Sequence, residues 1–148
     1  MNASSLVGAL LFAGFGLCTE IVFTGLWAGP GASFKGEVSL LMVPVYATAY
    51  FLIGPLLRVA EGRGLTSPWQ LVLPGVLVVY ALEWSFGAFY EALGFRPWRY
   101  DHGWASDFSG GHITLYYAPA WCVFVLIAIP VYRAIRRVAP RLAGGRDR

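Results

Sequence analysis

Charge is scarce in this chain. Asp, Glu, Lys and Arg make up 13% of its 148 residues against 57% hydrophobic residues, and Lys35 is the only lysine. An ordinary soluble surface needs about a quarter of the chain to be charged, so a conventional soluble domain is excluded. Cysteine is rarer still: Cys18 and Cys122 both lie inside apolar runs. That placement argues against a disulfide framework and predicts packed thiols. The chain contains no GxxxxGK[ST] phosphate loop, which excludes ATP hydrolysis by that route. HExxH, GxSxG and paired CxxC motifs are missing too. No catalytic residue, metal site or cofactor is expected from the sequence.

What is present is length without polarity. Four apolar runs, at 6–27, 38–57, 69–90 and 113–132, can each cross a bilayer core of about 30 Å at about 1.5 Å per residue. The expected class is an all-α membrane protein whose four transmembrane helices form two parallel helix-pair repeats. Residues 1–137 make the transmembrane domain and 138–148 a basic cytoplasmic tail. A cleaved signal peptide is not expected, because no Lys or Arg precedes the first run and Glu20 interrupts it. Arg58 and Arg63 sit in or beside one loop, and six arginines from Arg133 onward crowd the C-terminus. By the positive-inside rule, both termini and the 58–68 loop face the cytoplasm. A basic segment directly after a span meets anionic lipid headgroups rather than nucleic acid.

The repeat is read from two stretches 75 positions apart. Over 23 ungapped positions, Gly36, Leu40, Pro44, Pro55 and Arg58 recur as Gly111, Leu115, Pro119, Pro130 and Arg133. Upstream, Glu20, Phe23 and Trp27 match Glu83, Phe86 and Tyr90 at an offset of 63. The difference of 12 is an insertion in the second half, at 97–108. Each half is thus a helix pair carrying one intramembrane acid. Glu37 and His112 are expected to open the second and fourth spans. Pro44 and Pro55 remove amide hydrogens and are expected to free the carbonyls of Leu40 and Phe51, either as kinks or as carbonyls facing a cavity.

Glu20 and Glu83 carry the chemical interest. An ionised carboxylate at the membrane centre costs about 2.5–3.5 kcal/mol on insertion scales. Three roles are open to the pair. They act as glue, hydrogen-bonded to Thr19, Thr24, Tyr46, Tyr80 or Trp121; they line a cavity that binds a cation or a headgroup amine; or one shuttles a proton. The 91–111 loop is dense in aromatic and charged groups, among them Trp98, Tyr100 and Asp101. It is either an interfacial belt or a cap over the spans. The binding set expected from the sequence is therefore Glu20, Glu83, Tyr46, Trp121, Trp98, Tyr100, Asp101 and His112.

Several motifs in order resemble a known family. They are Cys18-Thr19-Glu20 with Phe23-Thr24, Pro44-Val45-Tyr46, Glu83-Trp84 with Gly87, Pro97-Trp98-x-Tyr100, and Leu115-x-Tyr117-Ala118-Pro119-x-Trp121. Together they resemble the transmembrane protein 229 family and its bacterial relatives labelled ABC-transporter permeases. The likeness runs from Phe15 to Tyr132. Two positions depart from it: Arg99 and Tyr116 stand where many members carry an acid. The label implies transport, which a four-span chain without an ATPase performs only with partner subunits or as a homo-oligomer.

Three functions follow as expectations. The first is a transport-related or small-molecule- or lipid-binding component of the bacterial inner membrane, its site between the halves near Glu20 and Glu83. The second is a membrane-embedded enzyme on a lipid substrate, requiring Asp101, His102, Asp107 and His112 to converge. The third is an accessory or structural subunit of a membrane complex. Membrane lipids are the expected partners in all three.

Overall fold

The computed structural model describes residues 2–27, 35–101 and 109–144. It contains four long helices: α1 (Ala3–Trp27), α2 (Met42–Gly62), α3 (Pro68–Ala92) and α4 (Ala118–Leu142), the last preceded by a 3-10 turn at Leu115–Tyr117. No strand occurs among the described residues. Every helix is long and apolar enough to cross a membrane, and the apolar residues are not confined to one face. In α3, Leu71 and Val76 are buried while Leu73 and Leu77 are exposed. A helix apolar all round needs a surrounding that is apolar too, which here is lipid. This is a four-span, multi-pass membrane protein.

The helix ends follow from local chemistry. α3 starts at Pro68, whose missing amide is harmless in a first turn, and Gln70 Oε1 accepts from the Ser67 amide at 3.0 Å. It ends at Gly94, in the left-handed region at φ 83°. There the Phe95 amide donates to the Tyr90 carbonyl at 2.8 Å and the Gly94 amide to that of Glu91 at 2.9 Å. This is the bond pattern of a Schellman turn.

α2 and α4 begin later than hydropathy indicates, at Met42 rather than 38 and at Ala118 rather than 113. The prolines explain the delay. Pro44 and Pro119 each fall in a first turn, where no intrahelical partner awaits an amide. Pro44 therefore leaves no carbonyl stranded: the Val43 amide donates to Leu40 O at 3.1 Å. Neither Glu37 nor His112 opens a helix; both lie in non-helical chain ahead of one. Before both helices a hydroxyl caps the entry, Ser39 Oγ accepting from the Leu41 amide and Thr114 Oγ1 from the Tyr116 amide.

At the other end, α4 runs on to Leu142, so Arg133, Arg136, Arg137 and Arg141 are helical. Residues 138–142 thus continue α4, and beyond it the Gly144 amide donates to Arg141 O.

The chain divides into two compact units, residues 1–50 with 133–148 and residues 51–132. In the first, Phe12 is fully buried and its ring centroid lies 6.2 Å from that of Tyr50. Tyr50 packs directly on Gly8. In the second, Val125 packs on Gly75 and the Tyr132 hydroxyl on Gly54. Small residues thus let neighbouring segments approach closely. Both cysteines are free thiols, and Cys18 is exposed rather than packed.

Candidate functional site

Within the first unit, one face of α1 builds the surroundings of Glu20. Gly16, Glu20 and Thr24 are spaced four apart and so stack on that face. The Tyr46 ring lies against Gly16, where a Cβ would occupy the same space. Its hydroxyl then reaches Glu20 Oε2 at 3.1 Å. One turn on, Thr24 Oγ1 accepts from the Glu37 amide at 3.0 Å and lies 2.8 Å from Glu20 O and 3.0 Å from Glu37 O. Its single proton serves one of those carbonyls at a time. Gly36 presses against the carbonyl of Ile21, leaving no room for a side chain. The chain re-entering α2 is thereby pinned to the outgoing helix one turn beyond the acid.

Glu83, in the second unit, is only 6% exposed. Tyr100, from the loop after α3, donates its hydroxyl to Glu83 Oε1 at 2.6 Å. That length is at the short end of the O–H···O range. The loop is held in place by its own backbone: the Tyr100 amide donates to Gly111 O at 2.9 Å and Trp98 Nε1 to His112 O at 3.1 Å. The Tyr100 ring lies 5.6 Å from that of Tyr117. One turn before Glu83, the Tyr80 hydroxyl donates to Thr114 O at 3.2 Å, and Thr114 is fully buried. A buried carboxylate is thus surrounded by hydroxyls and tied loop backbone.

A third cluster closes the end of α3. Glu91 Oε1 pairs with Arg96 at 2.7 Å and Oε2 with His112 Nε2 at 3.2 Å. The Schellman turn brings residues 91 and 96 side by side. Gly87 admits the imidazole, since a Cβ there would stand 2.6 Å from His112 Nδ1. The Trp98 ring meets Tyr90 edge-on at 6.2 Å. Among the described residues, no group of three side chains could hold a metal ion.

No family model matches the chain, and no solved structure matches it. The site is therefore judged on its own geometry.

That geometry groups the expected residues unevenly. Glu20 meets Tyr46, Glu83 meets Tyr100, and Trp98 meets His112 through its backbone carbonyl. Asp101 instead forms a surface pair with Arg99 at 2.9 Å, the acid 76% exposed. Trp121 stands in the first turn of α4 with its ring edge-on to Phe124. His102 and Asp107 lie outside the described residues. Of the hydroxyls expected near the acids, Thr19 returns to Phe15 O at 2.9 Å and Tyr80 goes to Thr114 O. Two residues escaped the sequence reading, Glu91 and Arg96. The signal that could have found them is the Leu93-Gly94-Phe95 helix stop, which folds the chain back on the last turn.

Proposed function

We propose that this chain is a transport-related membrane component that binds a small molecule or lipid. In this reading it sits in the bacterial cytoplasmic membrane with both termini inside. The observation that carries it is Glu83, a carboxylate inside a transmembrane helix that is nearly closed off and gripped at 2.6 Å by Tyr100 of a loop. A neutral glutamine could tie the same two segments without the insertion cost of an acid, so glue alone does not explain the carboxylate. A hydroxyl on a loop is also easier to withdraw than one on a neighbouring span. Withdrawn, it leaves a carboxylate whose chemistry suits a cation, an amine or a proton.

The resemblance to the transmembrane protein 229 family supports the same site, because two of its motifs, Glu83-Trp84 and Pro97-Trp98-x-Tyr100, meet at this hydrogen bond. Matched contacts support the duplication. Thr24 touches Glu37 while Gly87 touches His112, and Phe12 lies against Tyr50 while Gly75 lies against Val125. Ser39 and Thr114 cap corresponding turns. With no ATPase motif in the chain, transport draws its energy from a partner subunit, a homo-oligomer or an ion gradient.

The test is the melting temperature of purified Glu83→Gln against wild type, alone and with a panel of organic amines and monovalent cations. Equal or higher stability, together with loss of a ligand-induced rise seen in wild type, supports the proposal. A large fall in stability, with wild type indifferent to every ligand, makes Glu83 a structural tie and overturns it.

A further inference from the structure

The cluster at the end of α3 borders a shallow pocket that takes no part in the Glu83 site. Its lining includes Gly87, Glu91, Arg96, Trp98, Arg99 and His112, and it opens to the surface. We propose that this pocket seats the headgroup of a zwitterionic aminophospholipid, its phosphate on Arg96 and Arg99 and its ammonium on Glu91.

Depth is the first argument. The 25 residues of α3 extend about 37 Å at about 1.5 Å each, longer than a hydrocarbon core of about 30 Å. Glu91, next to last in the helix, stands at headgroup level. Tyr90 and Trp98 beside it are the residue types that favour that layer.

Charge is the second. Arg96 and Arg99 line the pocket together with Glu91, and Asp101 pairs with Arg99 beside it, so both signs of charge are present. An anionic headgroup that takes Arg96 leaves Glu91 without that counter-charge. A headgroup carrying both signs satisfies both.

The pairs are also exchangeable. Arg96 is 58% and Glu91 40% exposed, and ion pairs so placed contribute little to stability. A phosphate replaces Glu91 on Arg96 while an ammonium replaces Arg96 on Glu91, so neither member of that pair is left unmatched. His112, only 12% exposed, keeps its contact with Oε2 and holds the carboxylate in position. The Trp98 ring offers the ammonium a second favourable face.

The third argument separates a lipid from a soluble zwitterion. Phe89, Leu93 and Phe95 are each more than half exposed at the same end of the helix. They give the first acyl carbons an apolar path away from the pocket.

The experiment uses the full-length protein in detergent, offered equal amounts of phosphatidylethanolamine and phosphatidylglycerol with identical chains. Retained lipid is counted by native mass spectrometry. Wild type should hold the aminophospholipid about tenfold over the anionic lipid. Glu91→Gln should bring the two within about twofold, and Arg96→Gln should lower retention of both by about fivefold or more. Equal retention of the two lipids by wild type overturns the proposal and needs no variant to fold. So does a Glu91→Gln variant that keeps the full preference. Displacement of the lipid by an equimolar amount of soluble phosphoethanolamine overturns the lipid assignment in favour of a soluble zwitterion.

Discussion

Tyr100 donates to Glu83 Oε1 at 2.6 Å from 17 residues further along the chain. Glu20 has a counterpart in Tyr46, at 3.1 Å and 26 residues away. The two hydroxyls come from different kinds of place: Tyr46 rides on α2, and Tyr100 on the non-helical chain after α3. Trp121, aligned in sequence with Tyr46, has no hydroxyl to offer.

Replacing Tyr100 with Phe removes that donor and leaves the buried carboxylate in place. Loss of a bond to a charged group costs about 1.5–3 kcal/mol, so Tyr100→Phe should lower thermal stability clearly. Tyr46→Phe should do less, because Glu20 is more open and its bond longer. Adding Glu83→Gln to Tyr100→Phe should recover most of the loss. A double-mutant cycle in detergent, read by melting temperature, measures the coupling.

Gly14 and Gly16 should respond oppositely to Ala. Nothing lies within 4 Å of a Cβ at Gly14, so Gly14→Ala should stabilise α1 by about 0.5–1 kcal/mol. At Gly16 the Tyr46 ring is in the way, and overpacking should cost about 1–3 kcal/mol while pushing the hydroxyl off Glu20. Destabilisation by Gly14→Ala would instead reveal a second chain against that face, which cross-linking would detect.

The spans and the two acids were legible because both are matters of composition. A bilayer forbids charge over long runs, so Glu20 and Glu83 stand out against their neighbours. The starts of α2 and α4 were not legible from hydropathy, since Val38 and Ile113 are as apolar as the helices that follow them. Proline position holds that information: Pro44 and Pro119 mark first turns rather than interior kinks. Nor could the sequence pair Tyr100 with Glu83. Beside that contact the Tyr100 amide donates to Gly111 O, and Gly110 at φ 68° and Gly111 at φ 84° are both left-handed, a backbone that glycine takes readily. Tyr46 was legible as one of several hydroxyls, but choosing it needed the bare surface of Gly16 beneath its ring.

Gly87→Ala should displace His112. The added carbon would stand 2.6 Å from Nδ1, so the imidazole must shift and its contact with Glu91 Oε2 must open. The expected loss is about 1–3 kcal/mol in stability. Imidazole NMR shifts of His112 should change, and Glu91→Gln should add little further loss in the Gly87→Ala background.

Thr24→Val keeps the size of the side chain and removes its oxygen. The Glu37 amide then loses its acceptor, and the chain entering α2 is freed from α1. A fall of about 1–2 kcal/mol is expected, with faster hydrogen exchange at the Glu37 amide. Thr24→Ser should restore most of both, because the hydroxyl and not the methyl makes the contacts.

The late position of Tyr100 has a consequence for biosynthesis. α3 is complete at Ala92, and the residues that fasten the loop, Gly111 and His112, are made some twenty positions later. During that interval Glu83 has entered the translocon without its hydroxyl. The newborn helix must commit to the bilayer on the apolar residues around the acid alone, against a cost of up to about 2.5–3.5 kcal/mol. A nascent chain stalled before residue 100 is therefore the stage at which α3 is most easily lost back to the aqueous side, and the one at which a membrane chaperone or quality-control protease would find it.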